Sequence, residues 1–419
     1  MSRLNEPTNE ASAMQKEISA IAEQGGGRAT KVEQLIQQYC PDGVEYKYLG
    51  EFCEIKTGKG ITKKDSDENG NYPIISGGIT PMGYYHTFNR EGNTVTISRV
   101  GNAGLVSFID KRFYLNDKCF SVIPSDDTNT KFLYYVLSAR ENEIKGMQSE
   151  GGVPTINTQK VGSIVIPVPP LPVQEEIVRI LDTFAELQAE LQAELQKRLQ
   201  QYNYYRDNLL SFEDRTDVEW KKLGDVATVT KLAGFEFSEY MRYSETGSII
   251  ALRGLNVKNG SLDLSDVKYI DKSNFSKLSR SKLYINDMLY TYVGTVGQVA
   301  LVDENDKYYL APNVALIRLS DSNILPKFLT YFFLTDGFKR TQLDVLAASS
   351  SMKNITMEKI RLFKVPFIPV SEQQKIVDIL DRFDKLTTDI TAGLPAEIEA
   401  RRKQYEYYRD QLLTFKQKA

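Results

Sequence analysis

The stretch YNYYRDNLLSF at 202–212 returns as YEYYRDQLLTF at 405–415, and IVRILDTF at 177–184 returns as IVDILDRF at 376–383. Matches of that length do not arise from helix propensity alone, so the chain is a tandem duplication and one half must fold like the other. The register extends upstream to VPPLPV (168–173) against VPFIPV (365–370), where prolines stop a strand or loop just before each helical segment. A further echo joins the start of the chain to its middle. LIQQYCPDGVEYKYLGE (35–51) resembles LLSFEDRTDVEWKKLGD (209–225), so the N-terminal region mimics the end of a helix. Two variable blocks between these markers share a fainter skeleton, VGNAGLVSFIDKRFYL beside VGQVALVDENDKYYL and KFLYYVL beside KFLTYFF.

Within the blocks, short alternating runs such as NTVTISRV, CFSVIP, DMLYTYV and VALIRLS are separated by Gly, Asn and Asp clusters and read as strands. TKFLYYVLSARENEIKGM carries its apolar residues at helical spacing instead. The predicted fold class is α+β: two strand-rich α/β domains separated by two long antiparallel coiled-coil helical regions, with an approximate internal twofold. The expected boundaries are an N-terminal helical segment at 1–43, a first domain at 44–167, a central helical spacer at 168–217, a second domain at 218–365 and a C-terminal spacer at 366–419.

From Ile177 onward, Leu181, Phe184, Leu187, Leu191, Leu195, Leu199, Tyr202, Tyr205, Leu209 and Phe212 form one amphipathic stripe. A helix over 173–212 would be roughly 60 Å long at about 1.5 Å per residue, longer than a domain needs for its own core. Its natural partner is the matching C-terminal segment. That copy carries Gly393 and Pro395 in TAGLPAEIEARR, which should break or kink it. The central segment contains AELQ written three times at 185–196. Leucines every four residues advance about 40° per unit, so the repeat is no heptad seam; it suits setting a length, at about 6 Å per unit. A plain helix-forming spacer is the alternative reading.

Other chemistry is excluded by what the chain lacks. It holds one histidine, His86, in GYYHTFN, which removes His-rich metal sites and makes a Ser-His-Asp arrangement implausible. TGKGITKKD lacks the order of a phosphate-cradling loop and reads as a basic turn. VPPLP is the brake before a helix and no methyltransferase-type Asn/Asp-Pro-Pro-aromatic motif is present; the acidic residues of PDGVEYK lie too close together for a nuclease site. Cys40, Cys53 and Cys119 match no disulfide framework and read as reduced structural residues. With no leader-like start and no apolar run near 18 residues, the chain is expected to stay in the cytoplasm and to have no membrane partner. A formal charge of −3 means any nucleic-acid surface must be a local concentration of Lys and Arg. EQGGGRAT at 23–30 reads as a flexible hinge behind a short helix.

The repeated LPVQEEIVRILD and YYRDNLLSF elements, the VEWKKLGD lead into each block and the tetrapeptide repeat together resemble the specificity subunit of a type I restriction-modification enzyme, over essentially the whole chain from Leu35. The resemblance implies a non-catalytic chain with two target recognition domains. Each would read half of a bipartite site in double-stranded DNA, with paired helices setting the unread spacer. It implies partners: methyltransferase subunits docked on the helices, and translocase-nuclease (restriction) subunits joined through them. No cofactor is expected on this chain; S-adenosylmethionine, ATP and Mg belong on the partner subunits. A stand-alone DNA-binding regulator and a protein scaffold are the alternatives, separated by whether methyl transfer occurs only in the partners' company.

Base reading needs polar and basic side chains on loops that reach groove edges. The candidates in the first block are Lys59, Lys63, Lys64, Tyr84, Arg90, Arg99, Asn102, Thr155 and Asn157. In the second they are Arg253, Asn256, Lys258, Thr295, Gln298, Ser350, Lys353 and Asn354, with Asn157 and Asn354 expected at corresponding places. Each loop reads equally as a plain turn. For partner docking the candidates are Tyr204, Arg206, Tyr407 and Arg409, since Tyr and Arg are enriched at interfaces, although coil core is the competing role for the tyrosines.

Overall fold

The computed structural model describes residues 31–149, 152–347, 354–388 and 393–418. They divide into two compact units, one made of the described residues up to Glu190 and from Ile398 onward, the other of those from Leu191 to Glu397.

In the first unit the alternating runs form an antiparallel sheet in the order β2 (Cys53–Thr57), β7 (Cys119–Pro124), β4 (Thr94–Ser98), β5 (Val106–Ile109). All five residues of β4 are buried, as befits an inner strand covered on both faces. Helix α2 (Thr130–Ala139) packs Phe132, Leu133, Val136 and Leu137 into that core, and Asn129 caps it by accepting from the N–H groups of Lys131 and Phe132. A smaller sheet sets β3 (Tyr72–Ile75) parallel to β6 (Tyr114–Leu115), and β1 (Tyr46–Tyr48) pairs with β8 (Val165–Pro167). After the proline brake the long helix α4 (Leu171–Leu209) begins, preceded by α1 (Lys31–Tyr39) and the short α3 (Thr158–Gly162).

What joins this domain to its helix is a buried side chain. Gln174, with no exposed surface, accepts from Asn129 N at 2.8 Å and donates to the carbonyls of Asp127 (3.2 Å) and Pro169 (2.6 Å). Two turns on, Asp182 accepts from Tyr135 Oη at 2.6 Å and pairs with Lys131 at 2.7 Å. Burial, reinforced by that carboxylate, pushes the Tyr135 phenol well above its ordinary range, so it stays a donor. Phe184 stacks on Tyr408 of the C-terminal helix (Leu394–Leu412) at 5.5 Å and 25°. Beyond that helix Val44 N donates to Lys416 O (2.8 Å) and Lys418 N to Val44 O (2.9 Å).

The second unit repeats the plan. Its sheet runs β10 (Ala227–Lys231), β15 (Val314–Leu319), β12 (Met288–Thr291), β13 (Val299–Leu301). Here β11 (Ile250–Leu252) is parallel to β14 (Tyr308–Leu310), and β9 (Glu219–Lys222) pairs with β16 (Lys364–Phe367). Helix α5 (Pro326–Leu334) replaces α2, and α6 (Met357–Arg361) replaces α3. Gln373, in the first turn of α7 (Val370–Thr388), accepts from Leu325 N (2.8 Å) and donates to Asn323 O (2.7 Å) and Ile368 O (2.8 Å). Tyr331 Oη donates to Asp381, and Tyr205 stacks on Phe383 at 5.4 Å and 29°.

Helix α4 is continuous through the AELQ repeat, and the division between units falls inside it, after Glu190. The C-terminal copy is interrupted as its sequence predicts: α7 ends at Thr388, and the next helix starts at Leu394 with Pro395 in its first turn. The expected pairing of the variable blocks needs a shift of three residues at one point. Gly101 (φ +85°) and Gly104 (φ +93°) match Gly294 (φ +80°) and Gly297 (φ +94°), so VGNAG corresponds to VGTVG rather than to VGQVA. Left-handed backbone at both glycines fixes this turn more firmly than the surrounding side chains do. The three cysteines are free and buried, and burial pushes the thiols of Cys53 to about 12 and of Cys119 to about 11. Among the described residues no helix is long and apolar enough to cross a membrane, and no cluster of side chains suits a metal ion.

Candidate nucleic-acid interface

In each unit four loops meet at one edge of the small parallel sheet. In the first, the loop after β3 meets the glycine turn after β4 through Asn102 N to Gly77 O (2.9 Å). The segment before β7 joins through Asn116 N to Ile75 O (2.9 Å) and Arg99 N to Lys118 O (2.8 Å). The segment before α3 closes the cluster with Ile156 N to Arg99 O (2.9 Å) and a bridge between Val100 and Thr155. The approach is close enough that a Cβ on Gly77 would lie 1.9 Å from Val100 O. The second unit repeats four of these five ties: Ala311 N to Leu252 O (3.1 Å), Tyr292 N to Asn313 O (3.3 Å), Ile355 N to Tyr292 O (3.0 Å), and a bridge between Val293 and Asn354. One backbone frame thus carries two different sets of side chains.

The candidate residues divide between this cluster and other duties. Asn102, Thr155 and Arg99 belong to it in the first unit. The Arg99 guanidinium lies over Phe120, and its buried Nε has no hydrogen-bond partner. Lys59 follows β2 with its N–H donating to Leu115 O, while Lys63 and Lys64 stand exposed on the neighbouring 3-10 turn and Tyr84 is exposed on a short edge strand. Arg90 is tied inward: its guanidinium donates to Ser121 Oγ (2.8 Å), Asn89 O (2.8 Å) and Thr57 O (3.1 Å). Asn157 spends its side-chain oxygen capping α3, accepting from Lys160 N at 2.9 Å. Its counterpart is Thr356, the cap of α6, whereas Asn354 matches Thr155, so the expected pairing of the two asparagines is two residues out of register. His86 is exposed with its ring against Tyr85.

In the second unit Thr295 and Arg253 line a cavity of about 550 Å³ with Phe237, Tyr243, Val293 and Asn313. Arg253 is held by Asp266 at 2.8 Å, and its Nε is buried without a partner. A second hollow of about 260 Å³ shares Val293 and is lined by Lys231, Tyr292 and Asn354. Asn256 does not belong on a reading surface: it is fully buried and staples its own loop by donating to the carbonyls of Asp263 and Asp266, each at 2.8 Å. Gln298 accepts from Asn259 N (3.1 Å), and Lys258 pairs with Asp263 at 2.5 Å. Ser350 and Lys353 lie outside the described residues.

Phe237, Tyr243, Tyr292 and Asn313 escaped sequence reasoning. Asn313 sits in APNV with φ +71°, a signal that an Asn before a strand offers; the aromatics carry no comparable local signal. Of the docking candidates, Tyr204 and Tyr407 are 65% and 61% exposed at matching helix positions. Arg206 is only 7% exposed, pairs with Asp207 and lies over the Tyr202 ring. Arg409, half-buried, repeats this with Asp410 and Tyr405. These arginines therefore brace the helix rather than present a free charge.

Comparison with known proteins agrees with the duplication. The family described as Type I restriction modification DNA specificity domain matches residues 41–201 and again 216–400. The specificity subunit of the type I restriction enzymes EcoR124I and EcoR124II of Escherichia coli is 32% identical over 402 residues, covering 89% of this chain and 95% of that one. Among solved structures, the S subunit of a type I restriction-modification system from M. genitalium superposes with a TM-score of 0.57 at 15% identity, covering 88% of this chain and 96% of that one. A chain from a study of type I system assembly and conformational transition gives 0.54 at 14% identity, covering 88% and 97%. At such identities these two speak for the fold alone.

Proposed function

Because the chain belongs to the type I restriction-modification DNA specificity family, whose members are the non-catalytic subunits of their systems, we propose that its two domains read the two halves of a bipartite site in double-stranded DNA. The observation that carries this reading is the repeated loop cluster with unlike side chains. Arg99, Asn102 and Thr155 occupy it in one unit; Tyr292, Thr295 and Asn354 take the equivalent places in the other, joined by Arg253 from a different strand end. An identical frame with different donors and acceptors is what two different half-sites require, since base edges are distinguished by donor and acceptor pattern. Exposed Lys59, Lys63 and Lys64 in the first unit would hold phosphates and fix register.

On this reading the AELQ stretch of α4 is a ruler. Four helical residues add about 6 Å and about 40°, against about 3.4 Å per base pair, so one unit is worth one or two base pairs of unread spacer. Methyltransferase subunits dock on the helices, at positions that include Tyr204 and Tyr407, and restriction subunits join through them. S-adenosylmethionine, ATP and Mg would be bound by those partners.

The test is to purify the chain with its methyltransferase subunits, map the methylated sites by sequencing, and repeat with one AELQ unit deleted. A bipartite motif whose halves persist while the spacer shortens by one or two base pairs is expected. A contiguous motif, or an unchanged spacer, would overturn the proposal.

A further inference from the structure

The loop clusters of the two units part at one tie. In the first unit Asn102 N donates to Gly77 O at 2.9 Å, which closes the loop after β3 onto the glycine turn after β4. Counted from the matched strand ends, Ser76 corresponds to Arg253, Gly77 to Gly254 and Asn102 to Thr295. Among the described residues no bond joins Thr295 N to Gly254. The two glycines measure the difference in room. A Cβ on Gly77 would lie 1.9 Å from Val100 O, whereas one on Gly254 would meet nothing nearer than Thr291 Cγ2 at 4.0 Å. The cavity of about 550 Å³ in the second unit is the space this opening leaves, with Gly254 and Leu255 on one side, Val293 and Thr295 on another, and Pro312 and Asn313 on a third.

The chemistry of the place changes with its shape. Arg99 N bonds to Lys118 O as Tyr292 N bonds to Asn313 O, so Asp117 and Lys118 of the first unit stand where the second has Pro312 and Asn313. Two charged residues have given way to an apolar one and a neutral amide. Leu255 and Val293 in the cavity lining are 42% and 39% exposed, so apolar surface is accessible there. Beside it stands the Arg253 guanidinium, whose Nη2 is fixed by the carbonyl (2.9 Å) and the carboxylate (2.8 Å) of Asp266.

We propose that the second unit reads a thymine by taking its C5 substituent into this cavity, with Leu255 and Val293 against the methyl group. Of the groups that base pairs display in the major groove, only that methyl is apolar; the others are hydrogen-bond donors and acceptors. An apolar lip next to a fixed cation therefore suits an apolar group carried on a polar ring. The cavity is much larger than a methyl group, so the same place accepts longer C5 substituents. In the first unit the Asn102–Gly77 bond closes the equivalent opening. The inference rests on the DNA-reading proposal above and adds to it the identity of one base.

The experiment uses the full chain with its methyltransferase subunits and synthetic duplexes of the mapped motif. Each thymine in turn is replaced by deoxyuridine, which lacks only the methyl, or by 5-propynyl-deoxyuridine, which extends it. At one thymine deoxyuridine should lower kcat/KM for methyl transfer about fourfold, the effect of exposing one buried methyl, while the propynyl base retains the thymine rate. Val293→Thr, nearly isosteric, should shrink the preference for thymine over deoxyuridine at that position and at no other, because it exchanges a methyl of the lip for a hydroxyl. Equal rates with thymine and deoxyuridine throughout, a motif with no thymine on either strand, rejection of the propynyl base at the sensitive position, or a preference that survives Val293→Thr unchanged overturns this proposal alone. Absence of a bipartite motif in the methylation map overturns the DNA-reading proposal first.

Discussion

Gln373→Met tests the claim that a buried amide holds the second recognition domain to its helix. Methionine nearly matches glutamine in volume, so the change removes three hydrogen bonds while leaving little cavity. Leu325 N and the carbonyls of Asn323 and Ile368 lose their partner in a place with no exposed surface. A net hydrogen bond contributes about 1 kcal/mol, and a stranded buried group costs about 1–3 kcal/mol. Allowing for partial relaxation, about 3 kcal/mol should be lost, a fall of about two powers of ten in the folding equilibrium. The chain carries its own reporters. Its single tryptophan, Trp220, lies in the second unit, and all three cysteines lie in the first. Urea unfolding followed by Trp220 fluorescence should move to lower denaturant in Gln373→Met with its slope unchanged. In Gln174→Met the cysteines should instead become reactive toward a thiol reagent at lower urea. A loss below about 0.5 kcal/mol, the range of an ordinary surface change, would refute the idea that these glutamines are structural links.

Four other outcomes are expected. Gly297→Ala should lower stability by about 1–2 kcal/mol in urea titrations, because φ is +94° and the added Cβ would lie 2.5 Å from Leu343 Cδ2; Gly234→Ala, with nothing within 4 Å, serves as the neutral control. Arg99→Ala should relax one base position in the first half-site, and Arg253→Ala one position in the second, each by about 1–3 kcal/mol of discrimination in the methylation maps. Asn256→Ala should destabilise the second unit instead of altering the motif, which denaturation and methylation mapping together would separate. Docking of α1 should weaken in acid. Although burial pushes the Glu176 carboxyl up, hydrogen bonds from Arg179 and Lys31 outweigh it and hold the pKa below the ordinary 4.5. The stabilisation is therefore present above about pH 4.5 and lost as pH falls through the lower native value, seen as faster amide exchange over 31–39.

The architecture was legible because it depends on features the sequence repeats or punctuates. The YYRD helices, the proline brakes and the break at Gly393 and Pro395 are local, and each appears where periodicity or backbone chemistry puts it. The reading residues were less legible, because their roles are decided by partners far along the chain. Asn256 looks like a loop asparagine until carbonyls at 263 and 266 bury it, and Arg90 looks like a DNA-reading side chain until Ser121 and Thr57 claim it. Asn157 carried a readable cap signal, an Asn opening a helix, that a search for base-reading amides passed over. The three-residue shift at VGTVG shows the same thing from the other side: two left-handed glycines settled an alignment that side-chain likeness had misplaced.

The Gln174–Asp182 and Gln373–Asp381 anchor pairs have a consequence for descent. What an incoming domain supplies to these anchors is a carbonyl, an amide N–H, a tyrosine hydroxyl and a lysine ammonium, and both halves of the chain ask for the same four groups. A genetic exchange that respected those anchors could transplant a whole domain and alter the sequence it reads without disturbing the joint. Natural variation in this lineage should then concentrate in the cassettes and spare the sockets.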